Sequence, residues 1–233
     1  FHDFIKLGFL ADAGFDFLLI DLEHGSGDQE ALVHQLQAAG ATPAAPLVRI
    51  AWNDPVLIKP IVDMCPAAIV VPMIRTADEA LKAVQACQYP PKGVRGFGPM
   101  RNMYGMDSMQ EYLDVAAEQI MVFVQIEHVD AVRNLDAILA TPGLDGVSLG
   151  RNDLSGSLGK LGQHTDPEVL EAIDTFFSKS RQMDLFVGCS IGCDLDTVKQ
   201  WRAKGCQWFA LGEDIGHIAD GSKVVADAVH AMD

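Results

Sequence analysis

The chain has 233 residues, 49% of them apolar, with 17 basic against 32 acidic side chains and a formal net charge of −15. This length suffices for one sizeable hydrophobic core, and one domain is the default because no linker or low-complexity run interrupts the chain. The acidic balance without a basic cluster argues against a nucleic-acid or anionic-membrane partner, and no apolar run approaches the ~20 residues that a membrane helix needs.

The N-terminal segment and the cysteines predict a cytoplasmic protein. No basic region followed by an apolar run opens the chain, so we predict no signal peptide. Five cysteines, an odd number with scattered spacing, favour reduced thiols over a disulfide framework.

Short apolar runs alternate with helical patterns along the chain. Runs of four to eight apolar residues bounded by turn residues predict strands that are buried on both faces. The predicted strands cover residues 17–21, 46–50, 68–72, 185–189 and 208–212, with two more in the apolar runs that precede Glu127 and Asp153. The predicted helices cover residues 2–13, 28–39, 54 to about 64, 77–87, about 108–118, 129–143, 167–182, 194–204 and 216–231.

Polar residues before several of these helices predict where they begin. Asn53, followed by Pro55, is expected to cap one helix, and Asp166 another. Thr76 with Glu79 three residues later forms a capping-box pattern.

Repeated strand–helix units predict a parallel sheet. Seven strands are one short of a closed (β/α)8 TIM barrel, and the chain opens on a helix, so we expect the missing strand to be the first. A doubly wound open sheet is the competing architecture, but no GxGxxG or GxxxxGK[ST] motif follows any strand. The irregular segment 89–107 is the longest predicted loop, and long loops in compact domains are often functional.

The two central apolar runs each lead into a carboxylate, Glu127 and Asp153. A helical pattern separates them, so the two strands should be parallel and both acids should lie at the carboxyl end of the sheet, where α/β folds bind ligands. Two converging carboxylates repel each other unless a positive charge lies between them. A divalent cation that prefers oxygen ligands is the simplest candidate.

Further polar residues follow other strands: Asp21, Glu23, His24, Arg49 and Gln125. Each has a structural alternative. Asp153 could cap a turn, Arg49 could pair with Glu127, His24 could be a solvated loop residue, and Gln125 could make a structural hydrogen bond. Taken together, these structural explanations are less convincing than a functional one, because one layer of a barrel rarely contains so many ionisable groups without a function.

The sequence resembles a known family, the HpcH/HpaI aldolases, which are metal-dependent class II pyruvate aldolases. The resemblance covers nearly the whole chain. Its motifs are GFDFLLIDLEHG at 14–25, VRIAWNDP at 48–55, IVVPMIRTADEA at 69–80, RGFGPMR at 95–101, VFVQIEHVDAVRNLDAI at 122–138, GLDGVSLGRNDLSGSLG at 143–159 and DPEVLEAI at 166–173.

The resemblance implies a (β/α)8 barrel of the phosphoenolpyruvate/pyruvate-binding type and a Mg²⁺, Mn²⁺ or Co²⁺ cofactor. It implies a lyase that reversibly cleaves a 4-hydroxy-2-ketoacid to pyruvate and an aldehyde through a metal-stabilised enolate; oxaloacetate is a further ketoacid to test. It also implies a homohexamer, a trimer of dimers in which neighbours exchange the last helix.

By position, the resemblance implies that Glu127 and Asp153 are the metal ligands. It implies that Arg49 and Gln125 lie beside the ketoacid, and that His24 with Asp21 forms an acid–base dyad.

Other assignments are implied less directly. Glu23 lies next to the dyad, and Asp63 corresponds to an acid that reaches a neighbouring subunit's site. The backbone at Gly150, Asn152 and Asp153 corresponds to the part of the family's site that receives the substrate carboxylate.

Two of the chain's departures from the family pattern bear most on the site. Gly150 is followed by Arg151 where the family usually has proline, which adds a positive charge and makes Arg151 a possible site residue. The family's first strand has no counterpart in this sequence.

Three other functions stay open. A citrate-synthase-like condensing enzyme or an acyl-CoA lyase would use the same enolate chemistry, although no basic patch for the phosphates of CoA is evident. A catalytically silent, ketoacid-binding barrel is the alternative from a different class. A Schiff-base aldolase is disfavoured because no lysine follows a predicted strand.

Overall fold

The computed structural model describes residues 4–232. The strands are β1 (Phe17–Asp21), β2 (Ala45–Arg49), β3 (Ala68–Val71), β4 (Met121–Ile126), β5 (Gly146–Leu149), β6 (Phe186–Ile191) and β7 (Trp208–Leu211). The helices are α1 (Phe4–Asp12), α2 (Gln29–Ala39), α3 (Pro55–Val62), α4 (Ala77–Cys87), α5 (Met109–Val115), α6 (Val129–Arg133), α7 (Leu135–Leu139), α8 (Arg151–Ser157), α9 (Pro167–Ser180), α10 (Leu195–Ala203) and α11 (Asp214–His230).

The seven strands form one parallel sheet in the order β1-β2-β3-β4-β5-β6-β7. The sheet curls into a nearly closed barrel of the TIM type, and the ring of Phe17 on β1 meets that of Trp208 on β7 edge-on at 5.8 Å. The predicted barrel architecture is therefore confirmed. The start of the first predicted helix, residues 2 and 3, lies outside the described residues.

Inward-facing apolar side chains fill the barrel on the amino-terminal side of the polar residues that end the strands. Residues two apart on a strand share a face, and one cluster of such residues contains Leu47, Val70 and Phe123, with Phe17 and Trp208 packed against it. A larger cluster joins the outer faces of the strands to the surrounding helices. This packing fixes the strands, and hence the polar residues that follow them.

Two glycines make room for the largest rings in the barrel. A Cβ on Gly188 would lie 2.0 Å from the indole of Trp208, and one on Gly146 would lie 2.8 Å from the ring of Phe123. The two rings stack at 5.6 Å with an interplanar angle of 25°. Small residues on β5 and β6 thus complement large ones on β4 and β7, as dense core packing requires.

We expect Gly188→Ala to lower the free energy of unfolding by about 3 kcal/mol, because the methyl group forces the indole or the strand to move. Gly192→Ala is the matched control, since a Cβ there meets nothing within 4 Å. Denaturant unfolding measures both variants. If Gly188→Ala were as stable as Gly192→Ala, the packing described here would be wrong.

Three local predictions were wrong. Asp54, not Asn53, caps α3 by accepting a hydrogen bond from the Val56 N–H. The segment 129–143, predicted as a single helix, contains two short helices, α6 and α7, that divide at Asn134. The side-chain amide of Asn134 donates a hydrogen bond to the Arg75 carbonyl. The prediction also omitted α8, the short helix that follows β5.

None of the helices within residues 4–232 is long and apolar enough to cross a membrane.

Candidate active site

The carboxyl ends of β1 and β2 bring Asp21 and Arg49 together. The two residues are register partners in the sheet and both face the barrel interior. The Asp21 carboxylate accepts hydrogen bonds from Arg49 Nε at 2.9 Å and from Nη2 at 2.5 Å. This bidentate pair fixes the guanidinium, which has five N–H donors, and uses two of them.

Glu23 and His24 follow on the same loop. The Oε2 atom of Glu23 lies 3.1 Å from Arg49 Nη1 and 3.9 Å from the Nε2 atom of His24. The His24 side chain is 69% exposed. Within residues 5–232, the Asp21 carboxylate does not make the expected contact with the His24 ring, because it is bound to Arg49.

Glu127 lies at the carboxyl end of β4 and is only 2% exposed. Its Oε1 atom accepts a hydrogen bond from the Met73 N–H at 2.7 Å, and its Oε2 atom accepts one from Gln125 Nε2 at 2.6 Å. Gln125, predicted to lie in the ketoacid pocket, therefore orients Glu127 directly. The predicted alternative pairing of Arg49 with Glu127 is replaced by the pairs with Asp21 and Glu23.

Met73 is a site residue that sequence reasoning missed. Its φ of 56° lies in the left-handed region, which is uncommon for any residue other than glycine. This conformation accompanies the hydrogen bond from its N–H to Glu127, and the loop is held in turn by Asn134 at the Arg75 carbonyl. No side-chain pattern predicts a contact that the backbone supplies.

Gly150 lets the chain pass close to Glu127. Its N–H donates to the Ile126 carbonyl at 3.1 Å, and a Cβ there would lie 2.5 Å from the Glu127 Oε2 atom and 2.8 Å from Gln125 Nε2. Helix α8 begins directly afterwards and exposes Asp153 in its first turn. Gly150 occupies the cap position and no side chain caps this helix, so the capping role considered for Asp153 is excluded.

We expect Gly150→Ala to reduce activity by about 10²-fold, because the added methyl group displaces the Glu127 carboxylate and a misplacement of about 1 Å has that effect. Steady-state kinetics with a thermal melt separates this loss from unfolding. Gly216→Ala, where a Cβ meets nothing within 4 Å, is the control. Wild-type kinetics in Gly150→Ala would contradict the close approach.

The charges at the barrel mouth are strongly coupled. Burial raises the pKa of Glu127 to about 7, and the negative charges of Glu23 and Asp153 add to the effect, while the Met73 N–H and Arg49 oppose it. Burial also raises the pKa of Glu23 above its usual value. By contrast, burial of Asp21 is outweighed by the hydrogen bond and charge of Arg49, which lower its pKa.

Burial opposes the charge of Arg49, but the hydrogen bond and charge of Asp21 and the charge of Glu23 outweigh it and raise the guanidinium pKa. Arg49 therefore stays protonated.

The donor set at the barrel mouth fits a divalent cation. Asp21 and Glu23 pair with the guanidinium of Arg49, and the charges of Glu23 and Asp153 act on Glu127, so the mouth carries excess negative charge. The Glu23 Oε2 atom is buried without a hydrogen bond. Within residues 4–232 no group of three or more His, Cys, Asp or Glu side chains is placed to hold a metal ion. Two carboxylates with water and substrate oxygens as the other ligands match the preferences of Mg²⁺.

The remaining predicted site residues lie at the rim or away from this cluster. Asn152 Oδ1 is 2.7 Å from the Nε2 atom of His164, and the Arg151 guanidinium lies over the ring of Trp201 at 5.8 Å. Asp63 follows α3 and is bound 2.8 Å from Arg95 Nη2, without contact to the cluster.

Comparisons with known proteins identify the family of this chain. The profile of the HpcH/HpaI aldolase/citrate lyase family matches residues 7–221. The chain is 38% identical over 218 residues to the 4-hydroxy-2-oxo-heptane-1,7-dioate aldolase of Escherichia coli. The aligned region covers 93% of this chain and 83% of that protein.

Solved structures agree with this relationship. An HpcH/HpaI aldolase/citrate lyase family protein from Burkholderia cenocepacia J2315 superposes with a TM-score of 0.90 at 30% identity, over 98% of this chain and 91% of that one. Citrate synthase SbnG superposes with a TM-score of 0.88 at 28% identity, over 99% and 90%. The chain therefore belongs to the HpcH/HpaI aldolase/citrate lyase family and is a carbon–carbon lyase.

Proposed function

We propose that this protein cleaves a 4-hydroxy-2-ketoacid reversibly to pyruvate and an aldehyde. The observation that carries the proposal is the cluster at the carboxyl ends of the strands, where the charges of Asp153 and Arg49 act on the buried Glu127 carboxylate and His24 lies beside Glu23. The E. coli relative carries the name of an aldolase of this type, which supports the same reaction here.

The chain's residues divide the work of bond cleavage. His24 takes the proton of the C4 hydroxyl group as a general base, and C4 becomes the carbonyl carbon of the aldehyde. The electrons of the C3–C4 bond pass to the pyruvyl half, where negative charge develops on the keto oxygen. Arg49, held by Asp21, donates to that oxygen. The enolate then takes a proton at C3 and leaves as pyruvate.

Glu127 and Asp153 are the residues that would hold a divalent metal ion, with Gln125 and the Met73 N–H fixing the Glu127 carboxylate. Mg²⁺, Mn²⁺ and Co²⁺ are the candidate ions, and a bound ion would act as a Lewis acid that stabilises negative charge on the ketoacid. The backbone N–H groups of Asn152 and Asp153 lie in the first turn of α8, where they lack helical partners, and would receive the substrate carboxylate.

Removing divalent metal should abolish aldol cleavage, and adding Mg²⁺, Mn²⁺ or Co²⁺ should restore it. The restored activity should also depend on pH. Glu127 must lose its proton to bind a cation, so with a pKa of about 7 the apparent metal affinity falls about tenfold for each pH unit below 7 and levels off above it. Calorimetric titration of the metal-free protein from pH 5.5 to 8.5 measures this. Unchanged activity in EDTA would overturn the proposal.

Similarity to citrate synthase SbnG supports a second candidate, a condensing enzyme on the same scaffold. Assaying citrate formation from oxaloacetate and acetyl-CoA beside aldol cleavage separates the two. Ketoacid binding without any turnover would instead favour the silent barrel.

We further propose a homohexamer in which the last helix packs on a neighbour. Helix α11 has no buried residue and exposes apolar side chains, among them Ile215, Val224 and Val225, which supports a partner surface. The aldehyde would be read by the loops 89–107 and 155–165 and by a neighbouring subunit, possible contributors including Asp63. The five free thiols support a cytoplasmic location.

A further inference from the structure

The buried Glu127 carboxylate depends on a backbone donor in the loop after β3. Residues 72–76 connect β3 to α4, and within this loop the Met73 N–H donates to the Glu127 Oε1 atom at 2.7 Å. Met73 has a φ of 56°, a left-handed conformation that is unfavourable for any residue with a side chain. Such a conformation persists only where the surrounding contacts hold it. The contacts that hold this loop therefore decide whether Glu127 keeps its donor.

The loop is fixed directly after Met73. Ile74 is only 1% exposed and belongs to the hydrophobic cluster between the strands and the helices. The next residue, Arg75, has both of its backbone groups bound. Its N–H donates to the Glu79 Oε2 atom at 2.7 Å, and its carbonyl accepts a hydrogen bond from the Asn134 Nδ2 atom at 2.9 Å. Two side chains from different helical segments thus hold one peptide unit on each side of Arg75.

Glu79 contacts the loop as well as helix α4. Its Oε2 atom accepts a hydrogen bond from the Thr76 N–H at 3.0 Å, and its own N–H donates to the Thr76 hydroxyl at 3.2 Å. These two bonds complete the capping box of α4. The bond from the Arg75 N–H is additional to the capping box. One carboxylate oxygen therefore joins the start of α4 to the segment that presents Met73.

Asn134 reaches the loop from the point where α6 and α7 divide. Asparagine commonly caps the helix that follows it, but the Asn134 side chain makes no capping bond to α7. Its amide donates to the Arg75 carbonyl instead, across 59 positions of sequence. The Asn134 side chain therefore holds the loop and not the helix that it precedes.

We infer that Asn134 and Glu79 are positioning residues for Glu127 that act through the backbone of loop 72–76. They hold Arg75 at its carbonyl and at its N–H, so Met73 keeps its left-handed angle and its N–H stays directed at the Glu127 carboxylate. Within residues 5–232, the Glu127 carboxylate accepts hydrogen bonds from Met73 and Gln125 and from neither of these two side chains. The consequence for metal binding rests on the proposed function, but the hold on the Met73 N–H does not.

A purely structural role is the alternative. In that case the bonds of Glu79 and Asn134 stabilise the ends of helices and nothing else. Their loss would then lower the free energy of unfolding without changing the Met73 amide or the metal affinity of the folded protein. Measurements on the folded protein therefore separate the two roles.

Amide hydrogen exchange tests the hold on the loop without metal or turnover. We expect the peptide that contains Met73 to exchange about tenfold faster in metal-free Asn134→Ala than in wild type, because the loop opens more often. Mass spectrometry of the folded proteins measures this rate. Gln182→Ala is the matched control, since it removes an exposed side-chain amide that donates to the Ser178 carbonyl at 2.7 Å, and it should leave the Met73 peptide unchanged. An unchanged Met73 peptide in Asn134→Ala would overturn the inference.

Calorimetric titration with Mn²⁺ tests the consequence for Glu127. We expect Asn134→Ala and Glu79→Ala each to weaken Mn²⁺ binding by about tenfold, as is typical when the support of a metal ligand is lost. Glu79→Gln should restore nearly the wild-type affinity, because its amide oxygen can accept both bonds that the Oε2 atom accepts.

Two results of the titration would contradict the inference. One is wild-type Mn²⁺ affinity in Asn134→Ala, and the other is an equal loss of affinity in Glu79→Gln and Glu79→Ala. A wild-type protein that binds no Mn²⁺ contradicts only the proposed function, and the exchange of the Met73 peptide then decides whether Asn134 holds the loop.

Discussion

Arg49→Ala is expected to lower kcat/KM for aldol cleavage by about 10²–10³-fold, the usual cost of removing one donor to a developing oxyanion. The guanidinium is only 15% exposed and is clamped by Asp21 and Glu23. Two of its five N–H donors bond to Asp21, so three remain, of which those on Nη1 lie beside Glu23. Arg49→Lys should recover little, because an ammonium group cannot bind Asp21 in a bidentate manner and face the substrate at the same time.

The control for these variants is Arg133→Ala. Arg133 pairs with Asp130 on the surface of α6 and is 70% exposed, so its loss should leave kinetics and stability unchanged. Circular dichroism and a thermal melt establish that Arg49→Ala is folded. If folded Arg49→Ala kept most of its activity, the role given to this arginine would be wrong.

Glu127→Gln and Asp153→Asn are each expected to reduce activity by about 10³-fold or more, since Lewis-acid stabilisation contributes several kcal/mol to such reactions. Glu127→Gln also loses one of its two hydrogen bonds, because the NH2 group that replaces one carboxylate oxygen is a donor and cannot accept from Met73 or Gln125. Calorimetric titration with Mn²⁺ should show no saturable binding in either variant.

Asp136→Asn is the control for the loss of a carboxylate. Asp136 pairs with Lys179 at the surface and is 76% exposed, so metal binding and turnover should match those of wild type. Retention of metal affinity in Glu127→Gln or Asp153→Asn would mean that the ion, and the chemistry assigned to it, lie elsewhere.

The barrel could be predicted from the sequence because its central strands, β3 to β6, are largely buried on both faces and helices with capping residues separate the strands. Thr76 and Glu79, for example, form the predicted capping box. Such signals depend only on neighbouring residues, so they can be recognised without knowledge of the tertiary structure. The break at Asn134 could not be predicted, since its cause is a hydrogen bond to the Arg75 carbonyl 59 residues away.

The residues at the candidate site were also named from the sequence, but their partners were not. Strand position places Asp21 and Arg49 at the mouth, whereas the register of β1 against β2 decides that they pair with each other. That pairing removes Asp21 from His24 and leaves Glu23 as the nearer acid. The support that Met73 gives to Glu127 depends on a left-handed backbone angle, for which a methionine side chain gives no signal.

We expect Glu127, Asp153 and Arg49 together to stabilise the enolate of pyruvate. Exchange of the pyruvate methyl protons in D2O, followed by NMR, measures enolate formation without any aldehyde. We predict rapid exchange with wild-type protein and Mg²⁺, and none above the buffer rate with EDTA, with Glu127→Gln or with Arg49→Ala. Exchange at the wild-type rate in EDTA or in Glu127→Gln would contradict the claim.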